Sequence, residues 1–366
     1  MSKIRIQFYS DDFKTENWGR ELEKLGCEVV KNPSKKSRYF HNIFYHSRTL
    51  LKQFFQKKKV HVFVFRYLND SIYLRVSLEY LIRDMVTVMA CKVLGIKILW
   101  FLHNIDRETK VRHPFISRLR RALVSYASDR VLVTDPLLIE FAINYGIDEK
   151  KLDWICFGVP DKAIPDEQNL SLRSNIENFK QSFYQKGFKD VVVGLCVSEP
   201  AKKKVHYLYA DSIVGPRNEP ENTCVVLVMI GNYPEGDKYQ DAKKRVKKSP
   251  YILYIEESFS VNELYIADYI DFFYRSLSDQ SIAYTLYVAS DLNKPIITHN
   301  IGAMPLIVER ENIGFVIRNS AHELSEIIIS LAAWSSEGSK NFLKERTWKI
   351  AAERMLENIK KTGVQP

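Results

Sequence analysis

Short apolar runs alternate with stretches of helical spacing along this 366-residue chain, and near its middle the alternation stops and then restarts. Strands are expected at residues 4–9, 27–30, 61–65, 96–102, 130–134 and 154–157. Helices are expected between them at 18–25, 74–94, 115–127 and 136–145. A polar, proline-bearing stretch at 160–175 reads as a linker. Beyond it come strands at 191–197, 225–230, 251–255, 270–274, 295–298 and 314–317, helices at 261–267 and 282–292, and an amphipathic helix at 340–360. Strand and helix alternating this often imply parallel sheets with helices on both faces. Two such halves predict an α/β chain of two Rossmann-like, doubly wound domains, 1–160 and 161–340, with a cleft between them.

Composition removes several classes. No apolar run reaches the ~18–20 residues of a spanning helix. The start, KIRIQFY, is no signal peptide, so a cytoplasmic location is expected. The five cysteines are scattered without CxxC spacing, which suggests neither a zinc site nor a disulfide framework. GxGxxG and Walker A sequences are both absent, against a dinucleotide dehydrogenase or a P-loop NTPase. The charge is one-sided: residues 1–160 hold 28 Lys and Arg against 17 Asp and Glu, and the remainder 26 against 27. A basic half attracts phosphate in some form. No recognition-helix, RRM or OB pattern supports nucleic acid as that partner.

In open α/β sheets, ligands bind past the carboxyl ends of strands. The strand at 96–102 delivers His103, Asn104, Asp106 and Glu108 there. Asp11 and Asp12 end the first strand. In the second half, GLCVSEPAKKK places Ser198, Lys203 and Lys204 after a strand, a candidate anion site of point charge plus helix dipole. Ser278 or Ser281 is a candidate cap for the helix at 282–292, whose free N–H groups would add to that site. Gly302, in HNIG, permits close approach of backbone to ligand, and His299 beside it reads as a loop histidine. Residues 31–59 mix Lys and Arg with Phe and Tyr, suiting an anionic membrane surface.

Taken in order, these segments resemble GT-B glycosyltransferases, in particular the family-4-like bacterial enzymes of capsular and exopolysaccharide synthesis. ENWGRELEKLGCEV is similar to the family's first helix, with Asn17 at its head, and WFLHNIDRE to its strand ending in HN and an acid. The donor-site skeleton survives as Ala267, Asp268, Pro295, Gly302 and Gly314. The tail, 341–366, resembles the helix that crosses back to the first domain. The Glu-x7-Glu donor motif is missing, with Gln280 and Val288 at its positions, so ribose or sugar contacts fall to Glu256 or Glu257.

The resemblance implies hexosyl transfer from a UDP- or GDP-linked sugar to a glycan or lipid-linked acceptor, with no further cofactor and no metal. Lys203, Lys204 and the Ser281 turn would stabilise the leaving diphosphate. His103 would meet the sugar or the acceptor oxygen and Asn104 would orient it. Glu108 or Asp106 would be the acid–base group, and Asp11, Asp12 and Asn17 would line the acceptor side. The alternatives are a GT-B-type sugar-nucleotide epimerase and a catalytically degenerate transferase subunit acting as a binding partner.

Overall fold

The computed structural model describes residues 3–30, 43–106, 108, 111–161, 166–197, 199–217, 222–257, 261–318 and 321–365. The chain forms two compact units. Unit 1 comprises Met1–Gly158, Gln280–Ile282 and Arg346–Pro366; unit 2 comprises Val159–Asp279 and Ala283–Glu345.

Unit 1 is built on a six-stranded sheet of β1 (Arg5–Phe8), β2 (Glu28–Val30), β3 (Val62–Phe65), β4 (Lys97–Leu102), β5 (Arg130–Val133) and β6 (Leu152–Trp154). Every pairing is parallel, in the order β2-β1-β3-β4-β5-β6. Strands β1 and β3 are buried at every position, which explains their unbroken apolar character. The strand order reverses between β1 and β3, the switch point where such sheets bind ligands.

Unit 2 holds β7 (Asp190–Val197), β8 (Gly215–Arg217), β9 (Thr223–Ile230), β10 (Ile252–Ile255), β11 (Phe272–Tyr274), β12 (Ile296–His299) and β13 (Gly314–Ile317). The order is β10-β9-β7-β11-β12-β13, all parallel, with short β8 antiparallel on β9. Its switch point lies between β7 and β11. Val193, Val225 and Leu227 are fully buried at its centre.

The structure corrects three boundaries. The expected linker at 160–175 is largely helix: Asp166 caps Glu167–Gln185 by accepting from Asn169 N at 2.9 Å. Its many polar residues face solvent, while Leu172, Ile176 and Phe183 are buried. The tail is two helices, Glu337–Lys344 and Trp348–Lys361, the second capped by Thr347. Between them Arg346 donates to Asp135 within unit 1, at 3.1 Å. The second helix packs on helix Phe13–Lys24. The helix expected at 282–292 spans only Thr285–Asp291. All five cysteines are buried and free, as core thiols commonly are.

Candidate active site

At the unit 1 switch point the loops after β1, β3 and β4 converge on one imidazole. Arg66 follows β3 directly and is fully buried. Its Nη1 meets Asp12 at 2.5 Å, and its Nε donates to His103 Nε2 at 3.2 Å. Its guanidinium also lies over Trp18 and Tyr67, 5.1 and 4.8 Å from the ring centres. The His103 ring is stacked between Tyr67 (4.4 Å, 21°) and Phe157 (5.8 Å, 6°). Accepting through Nε2 leaves Nδ1 as the donor nitrogen of the neutral ring. His103 is therefore oriented as a hydrogen-bond donor; acting as a base through Nε2 would first break its bond to Arg66. Lys14 lies 4.1 Å from the Phe157 ring centre and 3.3 Å from Tyr67 Oη.

Several expected roles change here. Asp12 caps helix Phe13–Lys24, accepting from Lys14 N and Thr15 N at 3.0 Å each, besides pairing with Arg66. Burial works to raise its carboxyl, but Arg66 and these donors hold it below the usual aspartate value. The Asp12 carboxylate is therefore committed to the helix cap and to Arg66. Asn17 is buried and its amide donates to Phe13 O at 2.7 Å, inside its own helix. Glu108 is buried and takes Arg121 Nη1 at 2.7 Å. Burial lifts its carboxyl above the ordinary glutamate value while Arg121 opposes. This pair supports the strand end, since Arg121 Nη2 also donates to the carbonyls of Asn104 and Ile105. Asn104 is buried and forms an isolated antiparallel bridge with Ser281. Asp106 lines a cavity of about 460 Å³ with Ser117, Arg118, Arg121 and Tyr145. Asp11 is partly exposed beside Asp12.

The unit 2 switch point holds a different cluster. Lysine runs are commonly solvated, but Lys203 is buried and its Nζ meets the fully buried Asp279 carboxylate at 2.9 Å. Its carbonyl accepts from Ser278 N at 2.8 Å, tying the two switch-point loops together. Lys204 is half-buried and donates to Glu199 O at 2.6 Å. Burial, then neighbouring Arg275, push its ammonium down to about 6. Arg275 follows β11 directly and is 9% exposed. Its Nη1 donates to Val197 O at 3.0 Å, and among the described residues its Nε has no hydrogen-bond partner. Burial pulls even this guanidinium below its ordinary value. A buried guanidinium with an unpartnered donor beside two lysines is a candidate place for an anion.

Arg66 and Arg275 were missed in the sequence, although each stands immediately after an apolar strand, in VFVFR and FFYR. That position is the signal that marks them. The remaining donor-side expectations divide. The close approach at Gly302 is to the protein itself: at φ +76, a Cβ there would sit 2.4 Å from Leu277 O and 2.6 Å from Asp279 O. Ser281 does not cap Thr285–Asp291, whose N-cap position is Tyr284, and it belongs to unit 1. That helix and His206–Tyr209 are both too short for a useful dipole, so the cationic side chains must carry any anion alone. Glu256 and Glu257 are exposed at the end of β10, the edge strand two places from β7, and Glu256 pairs with Lys243 and Lys247. Such a place does not suit ribose contacts at the switch point. His299 meets Tyr274 Oη at 2.9 Å, and burial pushes it down to about 4. Ser198 and residues 31–42 of the basic-aromatic segment lie outside the described residues.

No protein-family model matches the chain, and no curated protein sequence does. Solved structures do. HepE of Anabaena, in complex with UDP and glucose, is 12% identical with a TM-score of 0.63, covering 98% of this chain and all of its own. A glycosyltransferase from Rickettsia africae is 15% identical with a TM-score of 0.62, covering both chains completely. The lipopolysaccharide outer core galactosyltransferase WaaB is 11% identical with a TM-score of 0.60, covering 98% of this chain and 99% of its own. At these identities the likeness shows the fold: α/β with parallel sheets, matching GT-B glycosyltransferase structures.

Proposed function

We propose that the chain is a metal-independent glycosyltransferase. In this reading it moves a hexose from a UDP- or GDP-linked sugar to a lipid-linked or oligosaccharide acceptor in bacterial surface polysaccharide synthesis. One observation carries the reading: the buried Arg275, with its unused Nε, beside Lys203 and Lys204 at the switch point of unit 2. Breaking the C1–O bond of a nucleotide sugar releases a diphosphate, whose growing charge is stabilised by cations already in place. Arg275 supplies that charge, joined by Lys204 once it takes up a proton beside the bound diphosphate, and Asp279 fixes the backbone-tied Lys203 beside them. In unit 1, His103 serves the acceptor side as an oriented donor, held by Arg66 and its ring stack. HepE was solved with UDP and with UDP-glucose, which supports a nucleotide sugar as the co-substrate.

Two other readings have a motive. A putative UDP-N-acetylglucosamine 2-epimerase from Listeria monocytogenes shares the fold at a TM-score of 0.53. Gln280 and Val288, in place of two glutamates, suit a degenerate subunit. Calorimetry with UDP and GDP, followed by turnover of the bound type of nucleotide sugar, separates the three. A transferase binds the diphosphate and leaves the sugar nucleotide nearly intact until acceptor is added. An epimerase converts it without acceptor, and a degenerate subunit binds neither. Activity that survives EDTA is expected; activity lost to EDTA and restored by a divalent ion would remove metal independence.

A further inference from the structure

Helix Leu74–Val93 is inside out. Leu74, Leu78, Ile82, Met85, Met89 and Val93 recur every three or four residues, which makes one stripe, and all six are exposed. The buried side instead holds Ser77, Arg83, Asp84 and Thr87 with Val88 and Cys91. Those polar groups are committed to the fold. Tyr9 Oη donates to Asp84 at 2.7 Å, and Arg120 Nε donates to the same carboxylate at 2.6 Å. Thr87 Oγ1 donates to Arg83 O, and Ser77 Oγ accepts from Ser71 N. Turning the helix to hide its apolar stripe would break this network, so the stripe is exposed by construction. A large apolar patch on a water-soluble surface marks an interaction site.

The helices packed beside it expose apolar side chains too. Helix Leu74–Val93 packs against Tyr45–Phe55 and against Pro114–Ala127. The first exposes Leu51, Phe54 and Phe55; the second exposes Phe115, Leu119 and Tyr126. Neither of these two helices contains an Asp or Glu. Their exposed charges are Arg48, Lys52 and Arg118, and the exposed Lys57 and Lys58 follow the first helix. On the central helix, Glu79 is taken by Arg75 and Asp84 is buried. Pairing this face with a second copy would set cations against cations. A surface with an apolar interior and negative head groups satisfies both features. The central helix carries Arg75, Glu79, Arg83, Asp84 and Lys92, and among the described residues no helix is long and apolar enough to span a bilayer. We propose that this three-helix face of unit 1 docks on an anionic lipid bilayer, with the stripe at the acyl boundary and the cations among the head groups. The inference stands apart from the transferase reading.

The test is co-sedimentation of the full chain with vesicles of phosphatidylcholine alone and of phosphatidylcholine with phosphatidylglycerol. The chain should pellet with the second and stay soluble with the first, and added salt should release it. The triple variant Ile82→Ser/Met85→Ser/Met89→Ser and the double variant Arg48→Glu/Lys52→Glu should each weaken partition by about tenfold or more. Circular dichroism and unchanged UDP binding establish that both variants are folded. Absence of pelleting, equal pelleting with both vesicles, or full binding by either folded variant would overturn the proposal. So would a concentration-dependent dimer in sedimentation velocity that the triple variant abolishes, because a second copy would then be the occupant. UDP binding is read separately, so failure here leaves the donor site standing.

Discussion

Both units place an arginine immediately after the second strand of the switch point, and the two arginines stand in different charge environments. Arg66 is neutralised by Asp12, lies over two aromatic rings and spends its Nε on His103. Among the described residues the Arg275 side chain donates to one backbone carbonyl, Val197 O, and it stands beside two lysines, with Asp279 paired to Lys203. In the proposed reading, an arginine in this place is a scaffold where a carboxylate pairs with it and an anion holder where none does; Arg66 Nη2 and Arg275 Nε are both buried without a hydrogen-bond partner among the described residues, so charge pairing and not the unused donor separates them. Charge balance around the strand end, more than residue identity, separates the two sites.

Breaking the scaffold should have the largest effect. Arg66→Ala removes the fully buried partner of Asp12 and the donor that orients His103, and should cost about 3 kcal/mol of stability in denaturant unfolding. UDP binding by the folded fraction should be unchanged. Loss of UDP binding would erase the distinction between the units. Arg275→Met should do the reverse, weakening UDP by roughly 30- to 100-fold in calorimetry, because a charge-assisted bond to phosphate is lost. Gly302→Ala should cost about 2 kcal/mol and lower UDP affinity as well, since relief of the contact with Leu277 and Asp279 must move the loop that holds Lys203.

Lys204 sharpens the comparison further. With its ammonium pushed down to about 6 by burial and then Arg275, Lys204 is expected to take up a proton if a diphosphate binds beside it. Calorimetry in buffers of different ionisation enthalpy should show uptake approaching ~1 proton per diphosphate at about pH 7.5. Lys204→Met should abolish the uptake. The smallest effect concerns acid stability. Burial pushes His46 in unit 1 down to about 3, His299 in unit 2 down to about 4 and His206 in unit 2 well below the usual value. A free histidine titrates near 6.5, so the unfolded chain binds protons first on acidification. The stability tied to these neutral rings is complete above about 6.5 and is lost progressively as pH falls towards 4. Burial also lowers the partly buried His61 of unit 1, so each unit holds two such rings, and the amides of both should open more readily as pH falls below about 6.5, in hydrogen exchange corrected for intrinsic rates.

The alternation of buried strands and helices was legible because strands covered on both faces are continuously apolar, and β3, β4, β7 and β9 show it plainly. Helix Glu167–Gln185 was hidden because its long polar face resembles a linker. Helix Leu74–Val93 was found, but its orientation was not, since an apolar stripe conventionally points inward. At the site, strand-end position picked out His103, Lys203 and Lys204. Sequence could not show that Glu108 and Asp12 were already taken, because their partners Arg121 and Arg66 lie 13 and 54 residues away. Nor could it show Ser281 bridging Asn104, a pairing set by the fold.

The most direct test of the central claim is a hydrogen-exchange footprint of UDP on the intact chain. Protection should appear in the loops that follow β7 and β11, around Lys203, Lys204 and Arg275, and should vanish in Arg275→Met. Protection confined to the loops around Arg66 and His103, or a footprint on unit 2 that persists in the variant, would contradict the account.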